Sequence, residues 1–291
     1  MAFHLPLRFP DHVHRYSVFS FAVLLAACSP LQPDPVVSTE TTAPLSVNAE
    51  AQPTPPTGDD SPVVAERPSV PTAQPARLVR TRLAGIEMEA VVFDSRRDHL
   101  VVRDQPEGPG SLYADSRAAG RGSLAAINAS FFTPEGGPLG LVVSSGKSVG
   151  SVNHASSLGS GFFQEKSGAL SLIRRGRFTS ADEAIQAGPF LVENGRPTRG
   201  LSSDVATARS FVATDGRNGW IIARSGACSL AQLSEALGGS QIGGVTIQAA
   251  LNLDGGRSSE LWVSDAVEGG PSYTRPFWNK PVRNFLLLQA R

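Results

Sequence analysis

The chain has 291 residues, of which 26 are basic and 26 acidic, and 41% are hydrophobic. That balance lacks the basic excess on which nucleic-acid binding depends, so no nucleic-acid partner is expected. Only His99 and His154 lie beyond residue 14, which excludes a His-rich metal centre and leaves few routes to a Ser-His-Asp triad.

Residues 1–27 carry the parts of a secretory signal. Arg8 and Arg15 form a positive front, and Val18–Ala27 is an apolar run. That run is shorter than the roughly 20 residues a membrane span takes. It ends Leu25-Ala26-Ala27-Cys28, which resembles the lipobox of bacterial lipoproteins. The resemblance implies lipid attachment at Cys28, a membrane partner through that lipid, and a place in the cell envelope. Ser29 after the cysteine resembles the pattern of lipoproteins sent to an outer membrane, facing periplasm or surface. Cys228 is then a lone thiol, expected as a small buried hydrophobe.

Residues 28–76 change character. Ser29–Ala76 holds 11 of the 22 prolines, no aromatic residue, and six acids against Arg67 alone. Such a stretch buries too little apolar surface to offset its ordering entropy, so it is expected to be a disordered, extended tether. The folded part is expected over residues 77–291.

Within it, Leu78–Leu83 and Ile86–Phe93 alternate as strands, and Leu124–Phe132 reads as a buried strand. Gly140–Lys147 reads as a strand ending in a turn. Gly161–Glu165 and Ala169–Arg175 flank a hairpin turn at Lys166-Ser-Gly168. Ala181–Ala187 reads as one or two helical turns begun by Ser180. Pro189–Glu193 is a strand running into the type I′ signal Asn194-Gly195. Thr207–Thr214 and Trp220–Arg224 are strands. Ser229–Leu237 is the clearest helix, with Ser229 and Gln232 forming a capping box. Val245–Leu253, Leu261–Val263 and Phe285–Gln289 complete the strands. The expectation is a single α+β domain of mixed or antiparallel sheets with a few short helices.

Four stretches carry chemistry. In Leu251-Asn-Leu-Asp-Gly-Gly-Arg-Ser-Ser-Glu-Leu-Trp262 a strand delivers Asp254 to its end, and Gly255 and Gly256 allow close backbone approach. The turn's N–H groups, with Ser258 and Ser259, suit an anion. The same residues also read as a plain Asp-Gly hairpin turn. Asn128 lies inside an apolar run, where its amide either ties down a loop or faces a ligand. Gln186-Ala-Gly-Pro189 feeds a strand. Arg209 sits in a strand, and an arginine on an inward face needs an anion.

Taken together, these stretches resemble the phosphodiester glycosidase family over roughly Leu124 to Leu288. The core Leu253-Asp-Gly-Gly-Arg-Ser-Ser259 is the most specific match. Asn128-Ala-Ser-Phe-Phe132 stands where the family tends to have Asn-Gly-Gly-Phe-Phe, and Lys280-Pro-Val-Arg-Asn-Phe-Leu286 resembles its closing Pro-x-Arg segment. Ala129 and Ser130 replace two glycines, and Arg257 fills a position that is often small.

The resemblance implies a hydrolase that cleaves the C1–O–P linkage of a sugar phosphodiester in envelope or exopolysaccharide glycans. Asp254, Asn128 and Arg209 would be catalytic. Gly255, Gly256, Ser258, Ser259 and Arg283 would bind substrate, and Glu260 is the nearest second carboxylate in sequence. No cofactor is called for; a divalent metal stays open, with Asp254 or Glu260 as hard oxygen ligands. The alternative is a non-catalytic lipoprotein that binds envelope glycans or phosphoglycans.

Overall fold

The computed structural model describes residues 72–105 and 111–291. The leader, Cys28 and the tether as far as residue 71 lie outside the described residues. Among the described residues no helix is long and apolar enough to cross a membrane.

Three antiparallel sheets carry the fold. The largest has seven strands in the order Arg77–Leu83, Ile86–Asp94, Gly219–Cys228, Thr207–Thr214, Ala249–Asn252, Phe190–Glu193, Arg196–Pro197. A second orders Ser272–Thr274, Leu261–Val263, Ala125–Asn128, Phe285–Ala290, Asp98–Arg103. The third orders Lys147–Val149, Val142–Ser144, Glu183–Ala187, Gly161–Lys166, Ala169–Arg174. Few residues are helical, as expected of this α+β class: Ser116–Ala119, Leu230–Leu237 and three short 3-10 turns.

The large sheet is buried on both faces. Val91, Phe93, Val212 and Ile222 face a core shared with Ile127 and Leu286 of the second sheet and Phe163 and Ile185 of the third. Met88, Ala90, Val92, Phe211 and Ala213 face the helix Leu230–Leu237. Burial on both faces is why residues 90–93 form an unbroken apolar run instead of a strict alternation. The helix starts as expected, with Ser229 and Gln232 capping each other's backbone N–H groups. Its Leu233 is fully buried, a contribution of about 1.5–3 kcal/mol.

Two expected elements differ. Ala181–Ala187 is not helical: Glu183–Ala187 is a strand between Val142–Ser144 and Gly161–Lys166, every residue buried. Two ladders of backbone hydrogen bonds outweigh the high helix propensity of its alanines. Val245–Leu253 is also not one strand. Val245–Thr246 pairs with Gln241–Ile242 in a small ribbon, and Ala249–Asn252 enters the large sheet.

Candidate active site

The site is built where the chain passes between two sheets. Leu251 and Leu253 plug the shared core. The Leu253 N–H still donates to Ser210 O in the large sheet, at 2.8 Å. One residue later the Asp254 N–H donates to Ala129 O, at the end of a second-sheet strand, at 2.9 Å. By Leu261 the chain is paired with Ile127 in the second sheet. Asp254–Glu260 is therefore a crossover, held at both ends by ladders.

Gly255 and the 3-10 turn Gly256–Ser258 make that crossover tight. A Cβ on Gly255 would lie 3.0 Å from Ala208 O, tighter than ordinary contact, and 3.6 Å from Arg209 Cδ, so glycine lets the turn rest close against the Ala208 carbonyl with the Arg209 stem beside it. Gly256 has φ +60°.

Asn128 is fully buried and braces the crossover. Its Nδ2 donates to Asp254 O at 2.6 Å. Its Oδ1 accepts from Ser210 Oγ at 2.6 Å and from the Glu260 N–H at 3.0 Å. Ser259 Oγ lies 2.9 Å from Ser210 Oγ, closing a buried polar network. Of the two readings open for Asn128, the loop tie is the one seen, so it is a positioning residue here. Ser259 is likewise fully buried.

Asp254 is half-buried. Its Oδ1 accepts the Gly255 N–H at 2.9 Å, and the Ser258 side chain also hydrogen-bonds it. Burial pushes its pKa up to about 6, against the lowering effect of those two bonds. The Ser258 N–H goes to Gly255 O and the Ser259 N–H to Gly256 O. These N–H groups, with that of Gly255, are internal to the turn.

Arg209 presents a second charge. Its Nε donates to Cys228 O at 3.1 Å and its Nη2 to Val205 O at 2.7 Å. Among the described residues no carboxylate pairs with it, and burial lowers its pKa. Its stem lies against Gly255 while its head turns toward Val205. Cys228 itself is buried, as expected, and forms no disulfide among the described residues.

Arg283 is not brought to this loop. Its Nη2 pairs with Asp104 Oδ2 at 2.8 Å, and its Nη1 donates to Gly136 O at 2.6 Å and to Gln105 Oε1. The guanidinium expected to hold phosphate is buried and held by these three partners. Glu260 turns away as well: its Oε2 accepts from Ser116 Oγ at 3.1 Å and Tyr273 OH at 3.5 Å, and burial raises its pKa. Ser259 and Glu260 point to opposite sides, the alternation of extended chain. Among the described residues no group of three or more His, Cys, Asp or Glu is placed to hold a metal ion.

Gln186 is a brace like Asn128. Its Oε1 accepts the N–H groups of Leu141 and Asn153, and its Nε2 donates to Asn153 O and Gly159 O. Arg224 is a residue the sequence reading missed. Its Nε donates to Ser259 O at 3.2 Å. It lies directly opposite Ser210 in the ladder. Like Arg209, Arg224 is a cation within a strand.

A family model for phosphodiester glycosidases matches residues 121–289, more than half of the chain. The fold is similar to the catalytic domain of zebrafish N-acetylglucosamine-1-phosphodiester alpha-N-acetylglucosaminidase, auto-inhibited by pro-peptide. That likeness has 15% identity and a TM-score of 0.54, covering 77% of this chain and 86% of that one. A hypothetical protein from Synechocystis is similar at 17% identity and a TM-score of 0.49, over 77% of this chain and 65% of that one. No curated protein sequence matches the chain. The crossover with Asp254, its brace Asn128 and the neighbouring Arg209 all fall inside the matched stretch, and the chain belongs to the phosphodiester glycosidase family.

Proposed function

We propose that the chain hydrolyses a sugar-1-phosphodiester of an envelope or exopolysaccharide glycan. Water adds at sugar C1, the bond from C1 to the phosphate oxygen breaks, and a free sugar and a phosphate monoester result. The leaving phosphate is already stable as an anion, so it needs little protonation, and hydrogen bonds and positive charge replace much of an acid's work. This suits a site with one usable carboxylate. Asp254 is the nucleophile or general base, Ser258 orients it, and Arg209, whose stem lies against Gly255, is the cation that meets the phosphate.

The observation that carries this reading is Asp254 itself: a carboxylate at a sheet-to-sheet crossover, half-buried, with a pKa of about 6 and, among the described residues, no arginine neutralising it. Such a group is ionised at neutral pH yet retains basicity. Asp254→Asn should leave the circular dichroism spectrum unchanged and lower cleavage of an N-acetylglucosamine-1-phosphate methyl diester by about a hundred- to ten-thousandfold. The wild-type kcat/KM should rise about tenfold per pH unit below 6 and level off above it. Full activity in the asparagine variant would remove Asp254 from the chemistry and favour a glycan-binding role.

The proposed setting is the cell envelope, with lipid on Cys28 and residues 29–76 holding the domain off the membrane. The support is the Leu25-Ala26-Ala27-Cys28 sequence and the proline-rich stretch after it. Cys28→Ala should end labelling by palmitate and move the protein out of the membrane fraction; unchanged labelling and fractionation would refute the anchor.

A further inference from the structure

The large exposed aromatic side chains of the described residues all lie on one stretch. Tyr273 is 38% exposed, Phe277 89% and Trp278 72%. Phe277 and Trp278 pack edge to face, with centroids 4.8 Å apart and planes at 85°. Exposed apolar groups concentrated in this way mark a surface that meets something.

Two arginines hold the stretch in place. At its start, Arg275 Nη1 donates to Asp115 Oδ2 at 3.3 Å and to Tyr273 OH at 3.1 Å. At its end, Arg257 Nε donates to the Trp278 carbonyl at 2.9 Å. Arg257 belongs to the 3-10 turn that follows Asp254 and Gly255. The backbone of the aromatic pair is thus tied directly to the crossover, while both rings stay open to solvent.

We propose that Phe277 and Trp278 form a stacking platform for carbohydrate, gripping a sugar ring next to the scissile phosphodiester. This rests on the reading of Asp254 as the reaction centre. A sugar ring has an apolar C–H face and a rim of hydroxyls. An aromatic ring covers that face while the hydroxyls stay in water, and the indole N–H adds a donor at the edge. Exposed Arg257 and Lys280 bring positive charge to the same stretch, which suits a glycan carrying phosphodiester anions. The platform lies outside the crossover, so it reads a neighbouring unit of a glycan chain and not the sugar being released.

Aromatic rings with nearby lysine and arginine also occur where proteins touch membranes. The tie to the reaction turn favours the glycan. A membrane contact gains nothing from being fastened to Arg257, whereas a substrate platform must keep its distance from Asp254 fixed.

The test uses the full chain and ligands that cannot be cleaved: unphosphorylated hexasaccharides of α-mannose, β-N-acetylglucosamine, α-glucose and β-glucose. Binding is followed by tryptophan emission. At least one hexasaccharide should shift the emission to the blue in the wild type and equally in Asp254→Asn. Trp278→Ala should abolish the shift and weaken calorimetric affinity roughly tenfold, the scale of one aromatic contact. Phe277→Ala should weaken affinity several-fold, and Trp278→Phe should restore most of it. No binding by any of the four, or equal affinity in Trp278→Ala, overturns the platform. So does a blue shift produced by phosphatidylglycerol vesicles and not by glycans. Cleavage retained in Asp254→Asn would end the catalytic reading without touching the binding result, so the two fail separately.

Discussion

The Arg283 neighbourhood and the Asp254 crossover are joined through one residue. Ala129 O accepts the Asp254 N–H, and the Ala129 N–H donates to Asn284 O. Yet the two regions treat charge in opposite ways. Around Arg283 the cation meets Asp104, and the side chains of the pair are 2% and 13% exposed. Around the crossover, Arg209 is held by carbonyl oxygens and Asp254 by Ser258 and Gly255. One region is electrically closed, which is how a fold secures a buried charge. The other leaves a partly desolvated cation and a desolvated anion without counter-ions among the described residues, an arrangement suited to receiving a charged substrate.

Breaking each region should therefore give different kinds of loss. Arg283→Ala strands Asp104 in the interior and should cost about 3–5 kcal/mol of stability in urea unfolding. Arg209→Ala loses hydrogen bonds to carbonyls, one on the exposed Val205, and should cost only about 1–2 kcal/mol. Its effect should fall on catalysis instead, raising KM for a sugar-1-phosphodiester. Arg209→Lys should keep the fold and lose the planar guanidinium geometry, so it should not restore wild-type KM. If Arg209→Ala destabilised as much as Arg283→Ala with kinetics unchanged, the contrast between the regions would disappear.

Sequence and structure agree best where a local signal has a local cause. The Ser229–Gln232 capping box needs only the residues around it, and so does the Asn194-Gly195 turn, whose φ angles are 50° and 72°. Glu183–Ala187 escaped because its strand character comes from two partners far along the chain. Asp98–Arg103 also went unread; its pairing with Phe285–Ala290 spans most of the domain. At the site, the Leu253–Ser259 motif is the crossover loop, and Asn128 is legible in the sequence as a buried amide needing a partner. What remained hidden was where each arginine's counter-charge lies. Arg209 and Arg283 look alike in sequence, and only the fold puts Asp104 beside one of them. The tie from Arg257 to Trp278 was equally invisible, because it joins a turn to a segment that has no periodic pattern.

The smallest expected effect tests the anionic half of the contrast. Asp254 has a folded-state pKa of about 6 against an ordinary 3.8. Between those values the folded protein holds a proton that the unfolded chain has released, so stability from this group falls as pH rises. The contribution is fully present below pH 4 and lost once pH passes about 6. Asp98, Glu183 and Glu260 are also raised by burial and slope the same way, so wild-type stability alone cannot isolate Asp254. The difference from Asp254→Asn can, because asparagine keeps the shape and never ionises. The asparagine variant should gain on the wild type as pH increases from 4.5, and the gap should flatten above 6. The whole shift amounts to nearly 3 kcal/mol, of which about 2 kcal/mol falls above pH 4.5, and partial exposure of Asp254 reduces the widening to about 1 kcal/mol. Thermal unfolding of both proteins from pH 4.5 to 8 measures the gap directly. A gap that stays constant would mean that Asp254 is as well solvated as a surface carboxylate, and the crossover would then be no more open in its electrostatics than the ion pair at Arg283.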